Sequence, residues 1–209
     1  DLVLLFVLLV LSTSWLSSAN AQASILPNDN LVPAGTLSAD ELTINLVVEQ
    51  GTWFPAGEEA HGLDILAFRE EGGTLQIPGP MIRIFEGTQV NASIRNNVPG
   101  SELHLHGMQT KPATDDQYLT IPYGETRTTS FIAGDPGVYF YAGTTVGRNI
   151  AQRSGIDSQL SGAFVVDPLG SEQNDRIFVL AETLRGIPPN VSGAQTAING
   201  RSWPNTERI

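Results

Sequence analysis

The stretch MIRIFEGTQVNASIRNNV, residues 81–98, alternates apolar and polar side chains and breaks once, at Glu86-Gly87. Successive side chains on a strand point to opposite faces. The alternation therefore predicts two strands, each with one buried face, separated at the break. Segments of similar character lie on both sides. LTINLVVEQG (42–51) is rich in β-branched residues and ends in Gly, and ELHLHGM (102–108) is short. ETRTTSFIAG (125–134) alternates Thr with other residues, GVYFYAG (137–143) is aromatic, and LSGAFVVDP (160–168) ends at Pro. Strands at this spacing, punctuated by Gly, Pro, Asn and Asp, predict an all-β sandwich or barrel. Residues 146–159 have room for one short helix, and no amphipathic helix is predicted elsewhere.

Outward from this β-rich body, PLGSEQND (168–175) reads as a polar linker. RIFVLAE (176–182) then predicts a fresh buried strand, and TAINGRSWP (196–204) another. The expected organisation is a signal peptide at 1–21, a polar lead-in at 22–40, a first domain at 41–168, a linker at 169–175 and the start of a second domain at 176–209. The chain of 209 residues begins at Asp1 rather than Met and stops at Ile209 without an obvious ending, and it reads as a fragment cut at both ends.

Residues 2–11, LVLLFVLLVL, are an apolar run of ten, half of the ~20 a membrane span needs. Small residues follow, with Ala19-Asn20-Ala21 and Ala21-Gln22-Ala23 as cleavage candidates, the pattern of a secretory signal. A retained membrane anchor is the alternative. Both place the body outside the cytoplasm, periplasmic or secreted, with no membrane contact beyond the signal. There is no Cys, so the exported body is held by its core rather than by disulfides and offers no thiolate to a metal. The formal net charge of −11 argues against nucleic acid, which needs clustered Lys and Arg. Solubility is the plain meaning of that charge.

The chain has three His, and two of them, His104 and His106, sit one residue apart in HLHG. Strand alternation puts both on one face, about 7 Å apart, with Leu105 on the other. Two imidazoles at that spacing can hold one metal or reach two adjacent ones, and imidazole suits Cu, Zn, Fe and Ni. The plain alternative is a solvated strand face. His61 reads as a surface-loop histidine, and Met108 as core filling rather than a thioether ligand. Asp115 and Asp116, in a polar loop after the pair, could carry protons near a metal or be ordinary surface carboxylates.

Taken in order, IPGPMIRIFEGTQVNASIRNNV, LHLHGMQT, IPYGETRTTSFIAGDPGVYFYAGTTVG and DSQLSGAFVVDP resemble the first cupredoxin domain of the laccase-like multicopper oxidases. INGRSWPNTER is similar to the start of that family's next cupredoxin domain. The resemblance runs over roughly residues 40–209. It implies a Greek-key β-sandwich, copper as cofactor, one-electron oxidation of a small-molecule or metal-ion reductant, and reduction of O2 at a three-copper cluster. His104 would ligate the type 2 copper and His106 a type 3 copper. Asp116 would stand near an acid that aids proton delivery.

The family carries a second His-x-His pair after the aromatic strand. The matching positions here are Ala142, Gly143 and Thr144, and alternation sets Ala142 and Thr144 on the inward face where imidazoles would be. The resemblance therefore implies a copper oxidoreductase that supplies one pair and lacks the other, completed by sequence beyond Ile209. The alternative is a copper-free or copper-poor cupredoxin-fold binding or structural protein of the cell envelope. A third reading is a copper-binding or electron-transfer protein with a single His-ligated copper.

Overall fold

The computed structural model describes residues 22–108, 113–114, 116–145, 149–185 and 193–206. The signal peptide expected at 1–21 lies outside them. Among the described residues the chain forms β1 (Ala23–Pro27), β2 (Thr36–Ser38), β3 (Glu41–Trp53), β4 (Leu63–Glu70), β5 (Gln76–Ile77), β6 (Gly79–Phe85), β7 (Gln89–Asn96), β8 (Leu103–His106), β9 (Tyr118–Ile121), β10 (Thr126–Ile132), β11 (Gly137–Thr144), β12 (Ser161–Asp167), β13 (Leu180–Arg185) and β14 (Gly193–Ile198). One sheet runs β1-β5-β4-β3-β7-β10, with β2 paired to β3. A second runs β6-β12-β11-β8-β9, and β13 and β14 form a separate pair.

Both large sheets turn an apolar face to one core. Leu46, Val48, Phe68, Val90 and Ile94 come from the first sheet, and Ile82, Leu103, Leu105, Tyr141 and Phe164 from the second. This burial is the main favourable term in folding. The Tyr141 ring meets Phe68 edge-on at 5.0 Å, and its hydroxyl donates to the Pro80 carbonyl at 2.7 Å. The all-β sandwich expected from the alternation is the fold. The break at Glu86-Gly87 is where the chain leaves the second sheet for the first. Gly87 makes that corner at φ +81°, which glycine adopts without steric cost.

β7 follows its pattern, with Val90, Ala92 and Ile94 buried and polar residues between them. β6 departs from it, because Arg83 is also buried. Its Nε and Nη2 donate to the Asp167 carboxylate at 2.8 and 3.0 Å, and Nη2 also reaches Asp175. These pairings raise the Arg83 pKa, with the Asp167 bond as the largest cause and burial opposing it. A buried charge is tolerated only when it is paired in this way.

Residues 176–179 do not continue the strand expected over 176–182. β13 starts only at Leu180, which is exposed. Side chains satisfy this backbone in place of a ladder. The Ile177 carbonyl accepts from Asn30 and Asn199, and the Val179 N–H donates to Asn199 Oδ1. The Ile177 side chain joins Met81, Ala163 and Val165 on the outer face of the second sheet. In the stretch 196–204 the strand ends at Ile198, and Asn199 turns the chain at φ +47°. The lead-in contains β1, which pairs in parallel with both β3 and β5. Of the stretch 146–159, the described residues 149–159 form two 3-10 turns, Ile150–Gln152 and Gly155–Asp157, where a short helix was expected.

Candidate metal centre

β8 lies between β11 and β9, and its register with both assembles the site. Across β11, His106 stands opposite Ala142, Leu105 opposite Gly143, and His104 opposite Thr144. Across β9, His104 stands opposite Thr120 and His106 opposite Tyr118. Directly opposed residues of an antiparallel pair share a face. His104, His106, Ala142, Thr144 and Tyr118 therefore form one surface.

Leu105 goes the other way, into the main core. The shared face is thus not the core side of the sandwich, which corrects the inward placement expected for Ala142 and Thr144. It is covered all the same, since His106, Ala142 and Thr144 are fully buried. Gly107 lets the chain turn directly after the pair. It sits at φ +84°, and a Cβ there would strike the Phe140 carbonyl oxygen.

The hydrogen bonds fix how each imidazole is presented. His106 Nδ1 lies 2.7 Å from the Thr114 carbonyl, which can only accept. Nδ1 therefore donates, and in the neutral ring Nε2 carries the lone pair. A ligand histidine is commonly oriented in this way, by an outer carbonyl that takes its other N–H. His104 Nε2 lies 2.8 Å from Glu102 Oε1 at the exposed rim. Its lone pair is then on Nδ1, which is buried and has no hydrogen-bond partner. An orphaned acceptor of that kind costs about 1–3 kcal/mol unless something binds it. Tyr118 closes one side, with ring centroids 4.8 Å from His104 and 5.3 Å from His106.

Beside the pair, Thr144 has a different partner. Asp157, fully buried in its 3-10 turn, accepts from Thr144 Oγ1–H at 3.0 Å and Thr145 N–H at 2.8 Å. Asp157 Oδ1 is buried with no hydrogen-bond partner. Burial lowers the pKa of the Arg153 guanidinium, and the charge of Asp157 opposes that shift. The carboxylate thus closes the end of β11, at the position that would otherwise face His104 with a donor.

Asp116 is exposed, two residues beyond Thr114 and two before Tyr118 in the chain. Asp115 lies outside the described residues. His61 is exposed and Met108 is buried in the main core. Sequence reasoning missed Tyr118 and Asp157. Strand β9 was not expected, and no local pattern marks Asp157 as facing Thr144. Among the described residues no group of three or more His, Cys, Asp or Glu side chains is placed to hold a metal ion. The residues present fit a site to which this chain gives two imidazoles and to which further donors come from elsewhere.

Residues 74–170 match the family model described as multicopper oxidase. The chain is 31% identical over 121 residues to a probable nitrite reductase-hydroxylamine oxidoreductase fusion protein of Kuenenia stuttgartiensis, a match covering 53% of this chain and 14% of that protein. Two of its solved structural neighbours come from Nitrosomonas europaea. A blue copper oxidase has TM-score 0.60 and 22% identity over 81% of this chain and 56% of that one. A copper nitrite reductase has TM-score 0.56 and 20% identity over 77% and 57%. At these identities the neighbours speak for the fold, a cupredoxin-type sandwich, and the chain spans little more than half of each. The family match lies over strands β5 to β12 and the histidine pair, so through residues 74–170 the chain is similar to the multicopper oxidase family.

Proposed function

We propose that the chain is part of an exported copper oxidoreductase of multicopper-oxidase type, in which His104 and His106 hold copper. The observation that carries this reading is the orphaned, buried Nδ1 of His104 beside a second imidazole whose tautomer is set by the Thr114 carbonyl. Copper bound there supplies one-electron redox chemistry and the reduction of O2 by a small-molecule or metal-ion reductant. In this reading His104 ligates the type 2 copper and His106 a type 3 copper. The Thr114 carbonyl keeps the proton of His106 on Nδ1, and Tyr118 and the covered face keep water from one side of the pair. Asp116 is the proposed proton carrier, exposed to solvent beside the segment that orients His106.

Residues 41–168 serve as the first cupredoxin-like domain, 169–175 as the linker and 176–209 as the start of the second. Residues 1–21 serve as the signal peptide, which places the protein in the periplasm or outside the cell. Among the described residues no helix is long and apolar enough to cross a membrane.

A second reading has its own observation. Ala142 and Thr144 stand where the second pair would be, and Thr144 is committed to Asp157. A copper-poor binding or structural protein of the envelope would tolerate that loss. O2 consumption by the full-length protein, with a phenol and with a reduced metal ion as electron donors, separates the two. The oxidoreductase consumes O2 with one of them and loses that activity in His104→Ala/His106→Ala. A protein that retains no copper and is inert toward both donors favours the second reading.

A further inference from the structure

Along β11 the face of the second sheet continues away from the histidine pair. Val138 and Phe140 alternate onto the same side of the strand as Ala142, and both are exposed. Opposite them on β12 stand Val165 and Ala163, and Ser161 stands opposite Ala142. The small side chains of Ser161 and Ala163 leave a trough beside Phe140, which residues 177–180 complete. The resulting groove has a volume of about 400 Å3, within the range of small-molecule sites. Val138, Phe140, Phe178 and Leu180 give it apolar walls.

A cation stands in the lining of this otherwise apolar groove. Arg153 is half-buried, with Nε donating to the Ile150 carbonyl at 3.1 Å and Nη1 to the Leu160 carbonyl at 2.8 Å. Among the described residues its Nη2 has no hydrogen-bond partner. One Nη1 N–H and both Nη2 N–H groups are left, a fork that fits two carboxylate oxygens. Asp157 is within electrostatic reach, but its Oδ2 takes its donors from Thr144 and Thr145. Burial lowers the Arg153 pKa more than Asp157 raises it, so the guanidinium has lost water without gaining a full partner. Arg176 lies over the Phe178 ring at 5.7 Å from its centroid and adds a second positive charge beside the groove.

We propose that this groove is a binding site for a small aromatic carboxylate, its ring against Phe140 and Leu180 and its carboxylate on the free edge of Arg153. The ring supplies the apolar area removed from water, and the charge selects the acid over a neutral analogue. The site uses neither His104 nor His106, so the inference goes beyond the copper reading and does not depend on it.

The test follows benzoate binding to the full-length protein by NMR, before and after copper is removed. Benzoate is expected to bind saturably and to shift the signals of Val138, Phe140 and Leu180, with the same affinity in both preparations. Benzamide keeps the ring without the charge and is expected to bind at least about tenfold more weakly. Arg153→Gln is expected to lose a similar factor. Arg153 also ties two carbonyls, so Leu180→Glu, at an exposed position of the groove, stands in if that variant does not fold. Its negative charge is expected to weaken benzoate binding with the fold unchanged by circular dichroism. No saturable binding at millimolar benzoate overturns the proposal. So does benzamide binding as tightly as benzoate, or benzoate binding that survives both substitutions. Shifts confined to the histidine pair and lost with the copper overturn it too, since they place benzoate on the metal.

Discussion

Thr144→Val isolates the contact that stands in the place of the second histidine pair. The substitution keeps the branched shape and removes one hydroxyl, so it opens no cavity. Thr144 is fully buried, and its Oγ1–H donates at 3.0 Å to a carboxylate that is fully buried too. Asp157 Oδ2 then keeps the Thr145 N–H as its closest donor, at 2.8 Å, while Oδ1 already lacks a partner. A hydrogen bond to a charged group contributes about 1.5–3 kcal/mol, and losing it inside a buried site costs in that range. For a chain of this size each kcal/mol moves Tm by about 2–4 °C, so the expected drop is about 3–12 °C. Thermal unfolding followed by circular dichroism measures it, and in urea the midpoint is lowered with the slope unchanged. Copper affinity in the same variant stays within about twofold of wild type, since the hydroxyl proton is already committed to Asp157. Stability within about 0.5 kcal/mol of wild type would refute the assignment of Thr144 and Asp157 as a buried clasp.

Arg83→Met leaves Asp167 buried with Gln173 as its remaining side-chain donor and is expected to cost about 3–5 kcal/mol. Asp175→Asn removes only the exposed end of that cluster and is expected to leave the denaturation curve close to that of the wild type, so the pair of curves checks which carboxylate matters. Asp175 and Glu49 both have lowered pKa values, through bonds to Arg83 and Arg69 respectively. Their folded values lie below the unfolded ones, so their contribution is complete above about pH 4.5 and is lost as pH falls through the lowered values. Stability measured from pH 6 to 3 should therefore decline on the acid side, with a smaller decline in Arg69→Met.

What could be read from the sequence was local. The alternation of Val90, Ala92 and Ile94 located β7, and the Glu86-Gly87 break located the crossing between sheets, because side-chain period and glycine conformation are properties of neighbouring residues. Pairings between distant strands were not legible. β1 with β3, β3 with β7 and β6 with β12 are all parallel, and nothing within a strand names its parallel neighbour. Residues 176–182 read as one strand because RIFVLAE is apolar. The structure instead ties the backbone of Ile177 and Val179 to Asn30 and Asn199, which lie outside the segment. At the site, the His-x-His spacing exposed His104 and His106, and alternation put Ala142 and Thr144 on their face. Tyr118 and Asp157 became visible only when β9 and the 3-10 turn were set beside the pair, since each acts through cross-chain proximity and neither belongs to a spaced motif.

The proposed copper chemistry stands on His104 and His106 as metal donors. Copper(II) titration of the full-length chain followed by electron paramagnetic resonance tests it most directly. Saturable binding is expected, with nitrogen hyperfine structure from imidazole that disappears in His104→Ala/His106→Ala together with the bound copper, while the fold persists by circular dichroism. A double variant that keeps the copper and the nitrogen signal of the wild type would contradict it.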